Sequence, residues 1–100
     1  MKNNMITFKP PYSDDNVTVY TQRKKYTSGN VCINLIDAAD HFPYMVATVN
    51  VDGLSENEVA IKNYSENEGI LDVLVDEGIV KPPHRHIKSG FVIIPVCELC

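Results

Sequence analysis

Alternating apolar and polar positions predict that most of the chain forms β-strands. In residues 17–21 and 31–36 every second residue faces one side and is apolar or β-branched, the pattern of a half-buried strand. Residues 44–51 are a longer β-rich run, long enough for the central strand of a sheet. Residues 58–64 return to the strand pattern after the turn at Asp52–Ser55. These four segments predict a sheet.

The two ends of the chain give weaker or more constrained strand signals. Residues 5–8 alternate and predict a weak first strand, and the proline-rich and aspartate-rich stretch that follows predicts a loop. Residues 1–15 could therefore form a loosely held N-terminal arm. Residues 81–89 are predicted to be a loop. Residues 90–97 are predicted to be a final buried strand, which Pro95 would restrict to an edge or a bulge.

The periodicity changes from two to about 3.6 after Tyr64, which predicts one helix over about residues 65–78. Ser65 and Glu68 have the spacing of a capping box, in which each side chain accepts a hydrogen bond from the other residue's backbone N–H. Gly78 is a typical residue for the end of a helix. The apolar face comprises Ile70, Leu71, Leu74 and Val75.

This order of elements predicts an α+β fold: a mostly antiparallel sheet of four to six strands with the helix packed on one face. With 100 residues the chain is expected to form a single domain that spans residues 1–100. It contains no apolar run of the ~20 residues that a membrane-spanning helix needs, and we expect no association with a membrane.

Charge is concentrated in one segment. Residues 52–77 hold eight acidic residues and a single base, Lys62. An acidic face disfavours direct binding to nucleic acid and favours a basic protein partner. The small basic patch Arg23–Tyr26 is interpreted as a polar hairpin turn. Two further interpretations of the acidic segment stay open: a solvated surface that only keeps the protein soluble, and mimicry of a phosphate backbone.

Cysteine and histidine positions raise the question of a metal site. Cys97 and Cys100 have the spacing with which two thiolates can bind one zinc ion, and His84 and His86 could complete the set. There is no second pair of standard spacing, so we predict no metal. An odd number of three cysteines, without an export signal, predicts reduced thiols and a cytoplasmic protein.

Catalysis is also disfavoured. Cys32, His41 and Asp37 could form a nucleophile, a base and an orienting group only if the fold joined them in a cleft. A cysteine in an alternating strand is more often a small core residue. The five glycines are isolated from one another, so there is no glycine-rich phosphate loop. We therefore predict a protein that is not an enzyme and has no cofactor.

One segment carries a resemblance. Residues 62–71, which contain the specific motif Tyr64-Ser65-Glu66-Asn67-Glu68-Gly69, resemble a family of small uncharacterised proteins, as do residues 78–80, 89–92 and 95–99. The family is a domain of unknown function found in bacteriophages, prophages, plasmids and integrative elements. The similarity covers roughly residues 43–99. It implies an accessory role for a mobile element. Many small acidic proteins of mobile elements inhibit host defences such as CRISPR effectors or restriction enzymes, and by analogy we expect the same of this chain.

Together these observations predict a non-enzymatic accessory protein of a phage or mobile element that binds another protein. The most specific form of this prediction is an inhibitor of a host defence nuclease, of anti-CRISPR or anti-restriction type. The alternative is a homo-oligomeric structural or regulatory phage protein, such as a homodimer joined through strand 17–21 or 90–97. The predicted contact residues surround the start of the helix: Tyr64, Glu66, Asn67, Glu68, Asp72 and Asp76.

Overall fold

The computed structural model describes residues 5–11 and 13–100, and in them eight strands and one α-helix. The strands are β1 (Met5–Phe8), β2 (Val17–Lys25), β3 (Val31–Asp37), β4 (Pro43–Val46), β5 (Thr48–Val49), β6 (Glu58–Ile61), β7 (Arg85–Ser89) and β8 (Val92–Glu98). The helix α1 covers Ile70–Asp76, and a 3₁₀ turn at Ser65–Asn67 precedes it.

The strands form two antiparallel sheets of four, not the one sheet that the sequence predicts. The first sheet has the order β1-β2-β3-β4 and the second the order β5-β6-β8-β7. The described fold is therefore mostly antiparallel sheet with one short helix, which agrees with the α+β class. Residues 5–8 form an edge strand paired with β2, with Ile6 buried, whereas residues 1–4 of the predicted arm lie outside the described residues.

The expected central strand at residues 44–51 is divided at Ala47, and this division produces the second sheet. Val46 pairs with Asn34 in the first sheet, and Thr48 pairs with Ile61 in the second. Ala47 itself is fully buried. Its N–H donates to a carbonyl oxygen of β3 at 2.9 Å, and its carbonyl oxygen accepts from the N–H of Lys62 at 2.9 Å.

One hydrophobic core lies between the two sheets. The first sheet contributes residues such as Val19 and Leu35, and the second contributes Val59 and Cys97. The helix adds residues on one side, including Leu74, which is fully buried. The helix thus packs against the core as the sequence predicts, although it is shorter than the predicted 65–78.

Strand β7 was not predicted, because its sequence is polar. Residues 85–89 pair with β8 along their whole length. Ile87 is partly buried, and the other four residues of the strand are exposed. β8 is an interior strand between β6 and β7, but Pro95 pairs only with β7, so the predicted restriction to an edge or a bulge applies locally at this residue. The ladder between β6 and β8 runs from Val96 to Glu98, and Pro95 lies beyond it. No helix in the described part of the chain is long and apolar enough to cross a membrane.

The packing around Ala47 can be tested with a larger side chain. We expect Ala47→Leu to lower the free energy of unfolding by about 1–3 kcal/mol, because added methylenes in a filled core force neighbouring side chains and backbone to shift. Urea denaturation measures this change. The control is Val46→Leu at the adjacent, exposed position, where we expect little effect. Equal stabilities of the two variants would contradict the assignment of Ala47 as a packed crossing point.

Candidate functional site

A groove opens at one end of the core, where the helix, the loop after β1 and the edge strand β4 approach one another. It consists of two adjoining cavities of about 500 Å³ and about 310 Å³ that share Met45 and Glu66. The first is lined by Phe8, Lys9, Pro11, Met45, Glu66, Asn67, Glu68, Gly69, Ile70 and Val73. The second is lined by Pro10, Ser13, Tyr44, Met45 and Glu66. We call these residues the groove.

The apolar floor of the groove, formed by Phe8, Tyr44 and Met45, comes from both edges of the first sheet. A bulge in the pairing of β3 with β4 leaves Tyr44 without a partner in the register, between the pairs formed by Pro43 and Met45. The rings of Tyr44 and Phe8 meet edge to face, with centroids 6.3 Å apart and an interplanar angle of 80°. Extra residues of this kind bend a strand and redirect its side chains. The bulge therefore places the ring of Tyr44 in the apolar floor of the groove.

The acidic rim of the groove, which consists of Glu66 and Glu68, is held in place by two asparagine side chains. Asn63 Oδ1 accepts hydrogen bonds from the N–H groups of Gly69 at 3.1 Å and Leu71 at 3.0 Å, so it caps the start of α1. Asn67 is buried, and its Nδ2 donates to the carbonyl oxygen of Val46 at 2.7 Å. The segment 65–69 is thus anchored to the helix at one end and to the first sheet at its centre.

The predicted capping box at Ser65 and Glu68 is wrong. The N–H of Glu68 bonds to the backbone carbonyl oxygen of Ser65 at 3.2 Å, as in a 3₁₀ turn, and the α-helix begins only at Ile70. Ser65 has a φ of 55° and Gly69 a φ of 92°, so the chain turns sharply at both ends of this segment. Glycine adopts this conformation without cost, whereas serine does so at some expense.

The structure separates the six predicted contact residues into three groups. Glu66 and Glu68 are exposed and line the groove. Asp72 and Asp76 are exposed on the helix outside it, and Tyr64 is half-buried. Asn67 lines the groove, but its side chain is buried and already hydrogen-bonded. Its role is to position the rim, and we do not expect it to contact a partner.

Electrostatics on the rim are asymmetric. The Nζ atom of Lys62 lies 2.5 Å from Oε1 of Glu66 and 5.9 Å from the centre of the Tyr64 ring. The hydrogen bond from Lys62 lowers the pKa of Glu66 below its usual value. Glu68 is exposed on the same rim, and Lys9 adds one positive charge to the lining. The formal charges of Glu66 and Glu68 are therefore balanced by those of Lys62 and Lys9 around the groove.

A second polar cluster surrounds Glu58, the one buried charged residue among those described. Its carboxylate oxygens contact Nε2 of His84 at 2.5 Å, Nε and Nη2 of Arg85 at 3.1 Å and 2.7 Å, and the N–H of Ser55 at 2.9 Å. These donors, with Arg85 first, hold the pKa of Glu58 far below its usual range. Arg85 also donates to the carbonyl oxygen of Gly53 at 2.9 Å.

This cluster is interpreted as structural. Each oxygen of the Glu58 carboxylate already accepts two hydrogen bonds, which leaves no acceptor position for a ligand. The contacts join the loop before β6 to the start of β7. The sequence shows no sign of this cluster, because the residues lie about 26 positions apart along the chain.

The residues considered for catalysis do not converge. Cys32 is buried near one end of β3, and Asp37 lies at the other end, about 16 Å away at 3.3 Å per residue. His41 contacts the hydroxyl of Tyr20 through Nδ1 at 3.3 Å, and Asp37 Oδ1 accepts from the N–H of Ala39 at 2.8 Å. No cleft that joins a thiol, a base and a carboxylate is formed by these residues.

The residues considered for zinc binding lie in different environments. Cys97 is buried in the core, and burial raises the pKa of its thiol to about 11, whereas Cys100 is exposed. His84 is engaged with Glu58. Across residues 5–11 and 13–100, no three histidine, cysteine, aspartate or glutamate side chains are grouped closely enough to hold a metal ion.

Sequence reasoning found the acidic rim but missed the apolar floor. Phe8 and Tyr44 lie 36 positions apart and meet only through the fold. The proline pair at Pro10 and Pro11 reads as a simple loop in the sequence, although both residues line the groove. Comparison with known proteins adds no further assignment: no family model, no curated protein and no solved structure matches this chain.

The assignment of the helix cap gives a direct prediction. We expect Asn63→Ala to lower the free energy of unfolding by about 0.5–2 kcal/mol, because the N–H groups of Gly69 and Leu71 lose their common acceptor. Ser65→Ala is the matched control, with an expected change within about 0.5 kcal/mol. Urea denaturation distinguishes the two assignments, since a larger loss for Ser65→Ala would restore the capping box.

The Glu58 cluster predicts a specific dependence of stability on pH. Because the pKa of Glu58 is lower in the folded protein than in the unfolded chain, its contribution is complete above the ordinary glutamate pKa. As the pH falls below that value, the unfolded chain binds a proton that the folded protein does not, and the free energy of unfolding decreases. We expect Glu58→Gln to be less stable at neutral pH and to lose this part of the acid dependence.

Urea midpoints measured from about pH 7 to about pH 3 test this prediction. Glu56→Gln, an exposed glutamate two residues away, is the control and should follow the wild-type curve. A Glu58→Gln curve parallel to that of the wild type would show that Glu58 contributes nothing to the pH dependence.

Proposed function

We propose that this protein acts by binding a segment of another protein in the groove, with an apolar side chain in the floor and a lysine or arginine beside the rim. The observation that carries the proposal is the combination of an aromatic and aliphatic floor with two exposed carboxylates at its edge. Ligand sites are typically concave and mainly apolar, with a few charged or polar groups that select the ligand.

The two parts of the groove have different roles in this proposal. Burial of one large apolar side chain from the partner would contribute about 1.5–3 kcal/mol. Exposed ion pairs at Glu66 and Glu68 would add little affinity, but they would attract a basic partner and disfavour an acidic one. The floor thus provides affinity, and the rim provides selection and a faster association rate.

The biological setting of the proposal is an accessory protein of a phage or mobile element. The resemblance of residues 64–69 supports this setting. The protein would be an inhibitor, of anti-CRISPR or anti-restriction type, of a host defence nuclease, because enzymes that bind nucleic acid carry basic surfaces that the exposed carboxylates Glu66 and Glu68 can contact. The action would be non-enzymatic and would take place in the bacterial cytoplasm.

The alternative of a homo-oligomeric phage protein could form the strand contact that the sequence suggests only over part of each strand. Strand 17–21 lies within β2 and residues 92–97 lie within β8, and both are interior strands. β1 pairs with residues 17–20 of β2, and β6 pairs with residues 96–98 of β8, so only the parts of β2 and β8 beyond these ladders could extend a sheet across a dimer. Self-association through side chains is still compatible with the fold.

Charge reversal on the rim tests the proposed function. We expect Glu66→Lys/Glu68→Lys to lose a partner that the wild type captures from host lysate and to weaken its affinity at least about tenfold, because the rim becomes repulsive toward a basic segment. The control Glu56→Lys/Glu77→Lys changes the net charge equally at two exposed positions outside the groove. Mass spectrometry identifies the partner, and titration with the purified partner measures the affinity.

Each result has a defined meaning. A partner that is lost by the rim variant and kept by the control supports binding in the groove. A partner that both variants keep would exclude the rim from the interface. Activity of the captured protein, measured as cleavage of DNA with and without bound inhibitor, tests the nuclease part, and undiminished cleavage would contradict inhibition.

A further inference from the structure

The β7–β8 hairpin ends in exposed apolar side chains that do not pack in the core. The turn between the strands consists of Gly90, with a φ of 59°, and Phe91. The side chain of Phe91 is fully exposed, at 109% of its reference surface area, and Ile93 is 66% exposed. Exposed single apolar residues are common, but an aromatic and an aliphatic side chain together at a hairpin tip indicate a contact site.

A positive charge accompanies these two side chains. Lys88 pairs with Ile93 across the hairpin and is exposed. We call Lys88, Phe91 and Ile93 the hairpin tip. Its composition, one aromatic ring with an aliphatic neighbour and a lysine, is the chemistry that the groove is proposed to accept: an apolar anchor for the floor and a cation for Glu66 or Glu68.

The register of the second sheet places the hairpin tip and the groove at the same end of the molecule. β6 and β8 are antiparallel, with Ala60 opposite Val96. Continuing from Ile61 leads the chain into the acidic rim, and going back along β8 from Val96 leads to the tip. Both surfaces therefore extend beyond the same end of the β6–β8 ladder.

We propose that the occupant of the groove in the free protein is the hairpin tip of a second copy of this chain. Because tip and groove lie at the same end, two copies related by a two-fold axis can each insert their tip into the partner's groove. Phe91 then enters the apolar floor, and Lys88 lies beside the acidic rim. None of the residues that line the groove belongs to the hairpin of the same chain.

This inference rests on the groove being a binding site, and it adds a form of regulation. A dimer of this type covers both grooves, so a partner segment must compete with the hairpin tip. The fraction of protein that is free to bind then depends on its own concentration. Dilution or a high-affinity partner releases the monomer.

Sedimentation equilibrium over a range of concentrations tests the proposal on the full chain. We expect the wild type to dimerise and Phe91→Ser to weaken the dimer by roughly a hundredfold, since both anchors are lost at once. The control is Phe42→Ser, which removes an equally apolar side chain, 68% exposed, that belongs to neither surface. A wild type that is monomeric at every concentration, or an equal effect of both substitutions, would overturn the proposal.

Mixing two defective variants tests the reciprocal contact itself. Phe91→Ser keeps an intact groove, and Glu66→Lys/Glu68→Lys keeps an intact hairpin tip. Each variant alone should be monomeric, but together they should form a heterodimer with one working contact, weaker than the wild-type dimer. If each variant is folded by circular dichroism and the mixture stays monomeric while the wild type dimerises, the tip does not occupy the groove.

The same variants separate this inference from the proposed function. If the groove binds a partner and the dimer competes, Phe91→Ser captures that partner at least as well as the wild type. Loss of partner capture by Phe91→Ser would assign the hairpin tip to the partner interface and overturn the self-association proposal. Dimerisation without partner capture by any variant would leave the dimer established and contradict the proposed function alone.

Discussion

The passage of the chain from one sheet to the other at Ala47 is the constraint on which the rest of the structure depends. Its N–H is bound to β3 of the first sheet and its carbonyl oxygen to the N–H of Lys62 after β6 of the second. Both backbone groups are buried and paired, so the sheets cannot shift past one another without leaving a polar group unsatisfied. This fixes Met45, just before the crossing, next to the segment that follows β6, and the groove is the space between them.

The charged residues of the rim depend on neutral residues for their position. Asn67 ties the 3₁₀ turn to the carbonyl oxygen of Val46, and Asn63 receives the first N–H groups of the helix. An exposed Glu66 or Glu68 could occupy many positions on a free loop. Because this short segment is hydrogen-bonded at one end and at its centre, the carboxylates are kept at the mouth of an apolar cavity, and the protein would lose less conformational entropy on binding a ligand.

Local patterns were enough to predict β2, β3, β6 and β8, because each is rich in β-branched and other apolar residues, although β6 and the middle of β8 are buried at consecutive positions. They could not predict the break at Ala47, since a run of β-branched residues reads the same whether it stays in one sheet or changes to another. The helix start was misplaced for a related reason: Ser65 has the local signal of a cap, whereas the actual acceptor, Asn63, acts through a turn whose shape the sequence does not show. The acidic rim followed from composition, but the floor required Phe8 and Tyr44 to meet across the fold.

The contrast between Glu58 and the rim glutamates explains why the groove, and not the most perturbed carboxylate, is the functional candidate. Glu58 is buried among donors from His84, Arg85 and the Ser55 N–H, and every acceptor position is used to hold the fold together. A carboxylate of this kind accepts all of its hydrogen bonds from its own chain. Glu66 has one lysine partner on an exposed surface, a contact that solvent weakens and a competing cation can replace. A low pKa alone therefore indicates a carboxylate whose hydrogen bonds are satisfied within the fold. An exposed carboxylate beside an unoccupied apolar surface can still bind another molecule.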